Sequence, residues 1–184
     1  NRIERDLILE ELRRESYAAF LAGKMRRFEP AGFSINPDLI NPKLFDFQRD
    51  VVQWATKRGR AAIWADCGLG KTFMQLEWAR LTGQRTLILA PLSIARQTVR
   101  EAAKLGIDVT FARSQASAGE ITVTNYEMLH HFDPQAFGAV VLDESSILKA
   151  TEGVYRNRLI DDFAKTPFRL CCTATPAPRT CRRG

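Results

Sequence analysis

The stretch from Ala61 to Arg80 constrains the fold more than any other part of this chain. A short apolar run, Ala61–Ala65, leads straight into Asp66-Cys-Gly-Leu-Gly-Lys-Thr72, and that turn opens onto a helical pattern from Phe73 to Arg80. An apolar run that ends at a glycine-rich turn reads as a buried strand, and strand, tight turn and helix in succession form the repeating unit of an α/β sheet. Gly68 and Gly70 open backbone conformations closed to other residues. The N–H groups of Gly68, Leu69 and Gly70 can then surround phosphate oxygens while the helix directs its positive end at the same point. In that setting Lys71 reaches the β- and γ-phosphates and Thr72 offers a hydroxyl to Mg²⁺.

The rest of the chain repeats the alternation. Apolar runs at Thr86–Ala90, Val109–Ala112, Ile121–Thr124, Ala139–Leu142 and Arg169–Thr173 are separated by stretches long enough for crossover helices, which predicts a mostly parallel sheet flanked by helices. Ahead of it, residues 3–28 place Ile3, Leu7, Leu12, Tyr17, Phe20 and Leu21 at amphipathic helical spacing, and prolines and glycines punctuate 29–43. The expected division is a helical extension and linker over 1–43, one α/β lobe over 44–178, and a non-native or disordered tail over 179–184. With 184 residues, 45% apolar and 26% charged, the chain can build one core but not two lobes of this kind. No apolar run approaches the ~18 residues that span a bilayer. Four cysteines without a CxxC, and only two histidines, His130 and His131, argue against a zinc site or a disulfide framework. With no signal-peptide pattern at the start, the expected setting is reduced and cytoplasmic.

A second chemical feature lies at the end of Ala139–Leu142, where Asp143 and Glu144 emerge from a hydrophobic strand. Ligands of α/β sheets bind at that edge. Two adjacent carboxylates can divide the labour: Asp143 helps to hold Mg²⁺, and Glu144 orients or deprotonates an attacking water. By itself an Asp-Glu pair is as well explained by a solvated turn; the preceding strand and the phosphate loop make it telling. Cys67, just ahead of a helix N-terminus, sits where a thiolate is favoured.

Together these motifs resemble the first RecA-like lobe of superfamily 2 helicases and DNA translocases. The generic phosphate loop has glycine where this chain has Ala65, and the form A-x-x-G-x-G-K-T resembles that superfamily's variant. Phe45-Asp-Phe-Gln48 resembles the Q motif, whose glutamine reads adenine. Ala90-Pro-Leu-Ser93 to Gln97 resembles motif Ia, Thr122-Val-Thr-Asn-Tyr126 motif Ib, Asp143-Glu-Ser-Ser146 motif II and Thr173-Ala-Thr-Pro176 motif III, in the family's order. The resemblance is closest to helicase-like ATPases of phages and mobile elements and to chromatin remodellers. It implies ATP and Mg²⁺ as cofactors, and a motif III strand inserted between the phosphate-loop and acidic-pair strands. Ser93, Gln97, Thr124 and Asn125 would contact the nucleic-acid backbone, with DNA favoured over RNA, while Thr173 and Thr175 would couple that contact to the nucleotide. By residue type alone the first four are equally helix caps.

The implied activity is ATP hydrolysis driving translocation or strand separation, with a second RecA-like lobe supplying arginines to the transferring phosphoryl group. That lobe is not in the sequence. Weak nucleotide binding and little autonomous turnover are therefore expected, in a bacterial or phage-encoded setting. A non-catalytic nucleotide-binding adaptor is the alternative, disfavoured by the intact Lys71, Thr72, Asp143 and Glu144. A kinase or small GTPase is disfavoured by Gln48 and Thr-Ala-Thr-Pro. Trp54, Trp64 and Trp78 read as core or interface packing. The net charge of +6 is weak support for a polyanionic partner, because Arg179, Arg182 and Arg183 fall within the last six residues.

Overall fold

The computed structural model describes residues 30–145 and 153–174. The amphipathic pattern of 3–28, Ser146, Thr175 and the 179–184 tail lie outside them. Within the described residues, α1 (Asp46–Arg58), β1 (Arg60–Trp64), α2 (Lys71–Thr82), β2 (Thr86–Ala90), α3 (Leu92–Leu105), β3 (Thr110–Phe111), β4 (Ile121–Asn125), β5 (Ala139–Leu142), α4 (Gly153–Asp162) and β6 (Phe168–Thr173) follow in chain order. The strands form one six-stranded sheet in the order β1-β6-β5-β2-β4-β3, and every pairing is parallel. This is the expected α/β, RecA-like architecture, with β6 lying between β1 and β5.

Two strands, β2 and β5, have the bounds that their apolar runs predict. The run Val109–Ala112 yields only the two-residue edge strand β3, paired with β4 alone. The helices run longer than their apolar patterns. Helix α2 is extended to Lys71 by the left-handed cap at Gly70, and α1 continues to Arg58, where Gly59 ends it at φ 68°.

Both faces of the central strands are covered. Ile88 packs with Met74, Leu76, Trp78 and Val123 on one side, while Leu87 and Leu89 meet Phe132, Phe137, Val140 and Phe163 on the other. That two-sided burial explains why β2 and β4 are buried at every position. At the other margin β1 is half open: Trp64 is 69% exposed, and Trp54 of α1 is exposed beside it. Of the three tryptophans only Trp78 is a core residue; α1 and the edge strand leave the other two in solvent.

The proline-rich stretch after residue 30 is strapped to the body. Ala31 and Phe33 donate backbone hydrogen bonds to Arg58 O and Thr56 O, and Gly32 passes so close that a Cβ there would overlap Thr56 O. Further on, fully buried Glu77 accepts from Asn41 N–H at 2.7 Å and from the Arg80 guanidinium at 2.6 and 2.9 Å, while Arg80 also donates to Leu39 O. The Glu77 hydrogen bond raises the Arg80 pKa against its desolvation. Glu77→Leu would leave Asn41 N–H unpaired and Arg80 without a carboxylate, bonded to Leu39 O alone, and it is expected to lower stability by about 2 kcal/mol, the figure being reduced because Arg80 is part-exposed. Glu101→Ala, which removes the pair with Lys104, whose side chain is 63% exposed, is expected to change stability by less than about 0.5 kcal/mol. Thermal unfolding of the two variants checks both values.

Candidate functional site

Because all six strands run the same way, their C-terminal ends share one edge. Trp64 pairs with Thr173, Leu142 with Cys171, Leu89 with Leu142, and Ala90 with Asn125. The turn after β1, the acidic pair after β5 and the end of β6 are thereby brought together.

In the turn, Gly68 and Gly70 have φ values of 84° and 74°. At Gly70 a side chain is excluded twice over, since a Cβ would also overlap Gln48 Nε2. Gln48, only 2% exposed, accepts from Phe45 N–H at 3.0 Å and donates to Leu69 O at 3.0 Å, so its amide ties the start of α1 to the loop. Lys71 Nζ donates to Ala65 O at 2.7 Å and to Asp66 O at 3.0 Å. A cation held by two neutral carbonyls at a helix N-terminus is placed to take an anion instead.

Across from it, Asp143 is 5% exposed and accepts from Glu144 N–H at 3.0 Å. Burial pushes its carboxyl pKa up, and the Gln75 amide and the Lys71 ammonium pull it back. Glu144 has φ 50°, an unusual conformation for a residue with a side chain, costing on the order of 1 kcal/mol or more. Thr173 Oγ1 donates to Glu144 Oε1 at 3.0 Å, which joins the end of β6 to the acidic pair. Tyr126 Oη donates to Asp143 O at 2.7 Å, joining the end of β4 to the same turn; burial raises the phenol's pKa and keeps it protonated to donate.

The residues expected to touch nucleic acid divide into two kinds. Ser93 and Gln97 are exposed, one helical turn apart at the start of α3. Thr124 and Asn125 are buried in β4; Asn125 Nδ2 donates to Glu127 Oε2 at 2.7 Å, while Thr124 Oγ1 and Asn125 Oδ1 have no hydrogen-bond partner. His130 and His131 lie with tilted rings against one another at the surface, and no cluster of metal-ligating side chains occurs among the described residues. Gln75 and Tyr126 are additions that motif matching did not single out as site residues. Gln75 was detectable as the residue one helical turn after Lys71, and Tyr126 as the aromatic directly after Thr-Asn.

Fold and motif order define the class: the chain is the first RecA-like lobe of a superfamily 2 helicase, a helicase-like ATPase domain. The family model described as "Type III restriction enzyme, res subunit" matches residues 38–178, and the chain belongs to that family. Among curated proteins it is 26% identical over 162 residues to the mouse "DNA annealing helicase and endonuclease ZRANB3", a match that covers 77% of this chain and 15% of the relative. The chain thus spans a small part of the curated relatives it matches. Its fold is like that of the Sulfolobus solfataricus SWI2/SNF2 ATPase core, solved in complex with dsDNA (TM-score 0.61, 20% identity, 78% of this chain and 34% of that one). It is also like the UvsW helicase of bacteriophage T4 (TM-score 0.60, 14% identity, 72% and 52%). The curated sequence relatives are mammalian, so they lend no support to a bacterial or phage setting. No helix among the described residues is long and apolar enough to cross a membrane.

Cys67 is exposed in the loop, whereas burial raises the pKa of Cys171 and Cys172 on β6. Among these three, Cys67 is expected to alkylate first with iodoacetamide near neutral pH, and ATP with Mg²⁺ is expected to slow it. Peptide mass mapping of the labelled cysteine checks both points; equal rates with and without nucleotide would count against a nucleotide in the loop.

Proposed function

We propose that this chain is the ATP-binding lobe of a DNA-dependent ATPase, a helicase or duplex-DNA translocase that works with a second RecA-like lobe. The observation that carries this reading is the joint placement of Lys71, Glu144 and Thr173 at one sheet edge, with Thr173 hydrogen-bonded to Glu144. The donor set fits a nucleotide and its ion: two positive-φ glycines shape the loop ahead of Lys71, and a buried, unpartnered amide lies beside Asp143.

In this reading Lys71 exchanges its two loop carbonyls for phosphate oxygens, and the N–H groups of Gly68 to Thr72 close around them. Gln48 holds Leu69 in register and presents the start of α1 to the base. Thr72 and Asp143 would hold Mg²⁺, and the chemistry it supplies when bound is neutralisation of charge on the transferring phosphoryl group. Glu144 accepts the proton of the attacking water. Thr173 keeps its carboxylate turned toward the loop and gives β6, with Thr175 just beyond it, a route to whatever binds next to motif III. Ser93 and Gln97 offer an exposed, uncharged pair for a nucleic-acid backbone. Thr124 and Asn125 support that surface from beneath. DNA is favoured over RNA by the relatives' own descriptions, an annealing helicase acting on DNA and an ATPase core bound to duplex DNA.

Lys71→Ala is expected to reduce Mg²⁺-dependent ATP binding to this chain at least about tenfold without unfolding it, as losing a charge-assisted contact should. In a polypeptide that joins this lobe to its second lobe, DNA is expected to stimulate ATP turnover, and Glu144→Gln to lower kcat by roughly 10² or more. Turnover that neither single-stranded DNA nor duplex DNA stimulates, or a larger response to RNA, would contradict the DNA assignment; an active Glu144→Gln would contradict the assigned base.

A further inference from the structure

Helix α2 carries a polar side chain that the loop and the acidic pair do not explain. Gln75 is fully buried, and neither its Nε2 nor its Oε1 has a hydrogen-bond partner. Its neighbours Met74, Leu76 and Trp78 are equally buried and apolar, so an apolar residue would suit the position better. The amide lies within interaction reach of the Asp143 carboxyl without closing a hydrogen bond to it.

The local geometry says what it faces. Gln75 is one helical turn beyond Lys71, on the same face of α2, and side chains on a helix lean back toward its N-terminus. That face packs on β5 and β6, the strands that end in Asp143 and Thr173. Asp143 Oδ1 already accepts from Glu144 N–H, and Tyr126 fixes the backbone carbonyl of the same residue. The second carboxylate oxygen is the acceptor that a primary amide on α2 can serve. Its remaining donor and its carbonyl suit the hydration water that Mg²⁺ retains.

On the nucleotide reading above, we infer that Gln75 is a positioning residue for the ion site: it orients the Asp143 carboxylate from α2, so that the ion and the phosphates, which Lys71 holds from the same helix, are set in one frame. Residues that orient a metal ligand typically change metal affinity by about 10- to 100-fold when removed.

The test is fluorescence titration of this chain with a mant-labelled ATP, in Mg²⁺ and in EDTA, for wild type, Gln75→Leu and Gln75→Met, with thermal unfolding of each. For both variants the expected result is an affinity in EDTA equal to wild type, a gain from Mg²⁺ smaller by about tenfold, and an unfolding midpoint that does not fall. A Mg²⁺ gain equal to wild type would overturn the inference. So would equal losses in Mg²⁺ and EDTA, or unfolding of both variants, since either result marks Gln75 as a packing residue. Absence of any Mg²⁺-dependent binding by the wild-type chain would instead remove the nucleotide reading, and this inference with it.

Discussion

The site depends on β6 entering the sheet between β1 and β5. Those two strands carry the phosphate loop and the acidic pair, and neither hydrogen-bonds to the other. Only the last strand of the described chain, arriving after more than a hundred residues, supplies the parallel pairing on both sides that fixes their separation. Its final residue is Thr173, which makes the polar contact to Glu144. Backbone pairing and side-chain chemistry at the site therefore come from one element.

Conformational and desolvation costs gather at the same edge. Glu144 takes a left-handed backbone conformation, Asp143 is buried as a carboxyl, and Gln75, Thr124 and Asn125 hold unpartnered polar atoms. Elsewhere the two clusters on either side of the central strands are apolar and the buried Glu77 is fully engaged by Asn41 and Arg80, with Trp78 Nε1 the further buried atom without a partner among the described residues. Strain and buried polar groups concentrated at one end of the strands mark that end as a functional site.

Much of this was legible in the sequence. Leu87 and its neighbours, and Val140 with its own, announce strands because they are buried on both faces and leave no periodicity to confuse with a helix. Gly68 and Gly70 announce the loop because only glycine takes their conformation without strain. The insertion of β6 came from the family resemblance and not from any local signal, since strand order is set by contacts distant in sequence. Other features were hidden for physical reasons. Trp64 reads as core or interface packing, and only its place on the margin strand, exposed to solvent, tells the two apart. Thr124 and Asn125 read equally as helix caps or nucleic-acid contacts, and nothing local in the sequence shows that β4 is buried at every position. Gln75 has an unremarkable residue type, and only its burial beside Asp143 makes it notable.

The central claim is that the loop after β1 and the acidic pair after β5 form one nucleotide site. A crystal structure of this chain with a non-hydrolysable ATP analogue and Mg²⁺ tests it most directly. The expected result is Lys71 Nζ moved from the Ala65 and Asp66 carbonyls onto phosphate oxygens, with the ion between Thr72 and Asp143. Nucleotide bound away from Gly68–Thr72, or phosphates in the loop while Lys71 stays on those carbonyls, would contradict it.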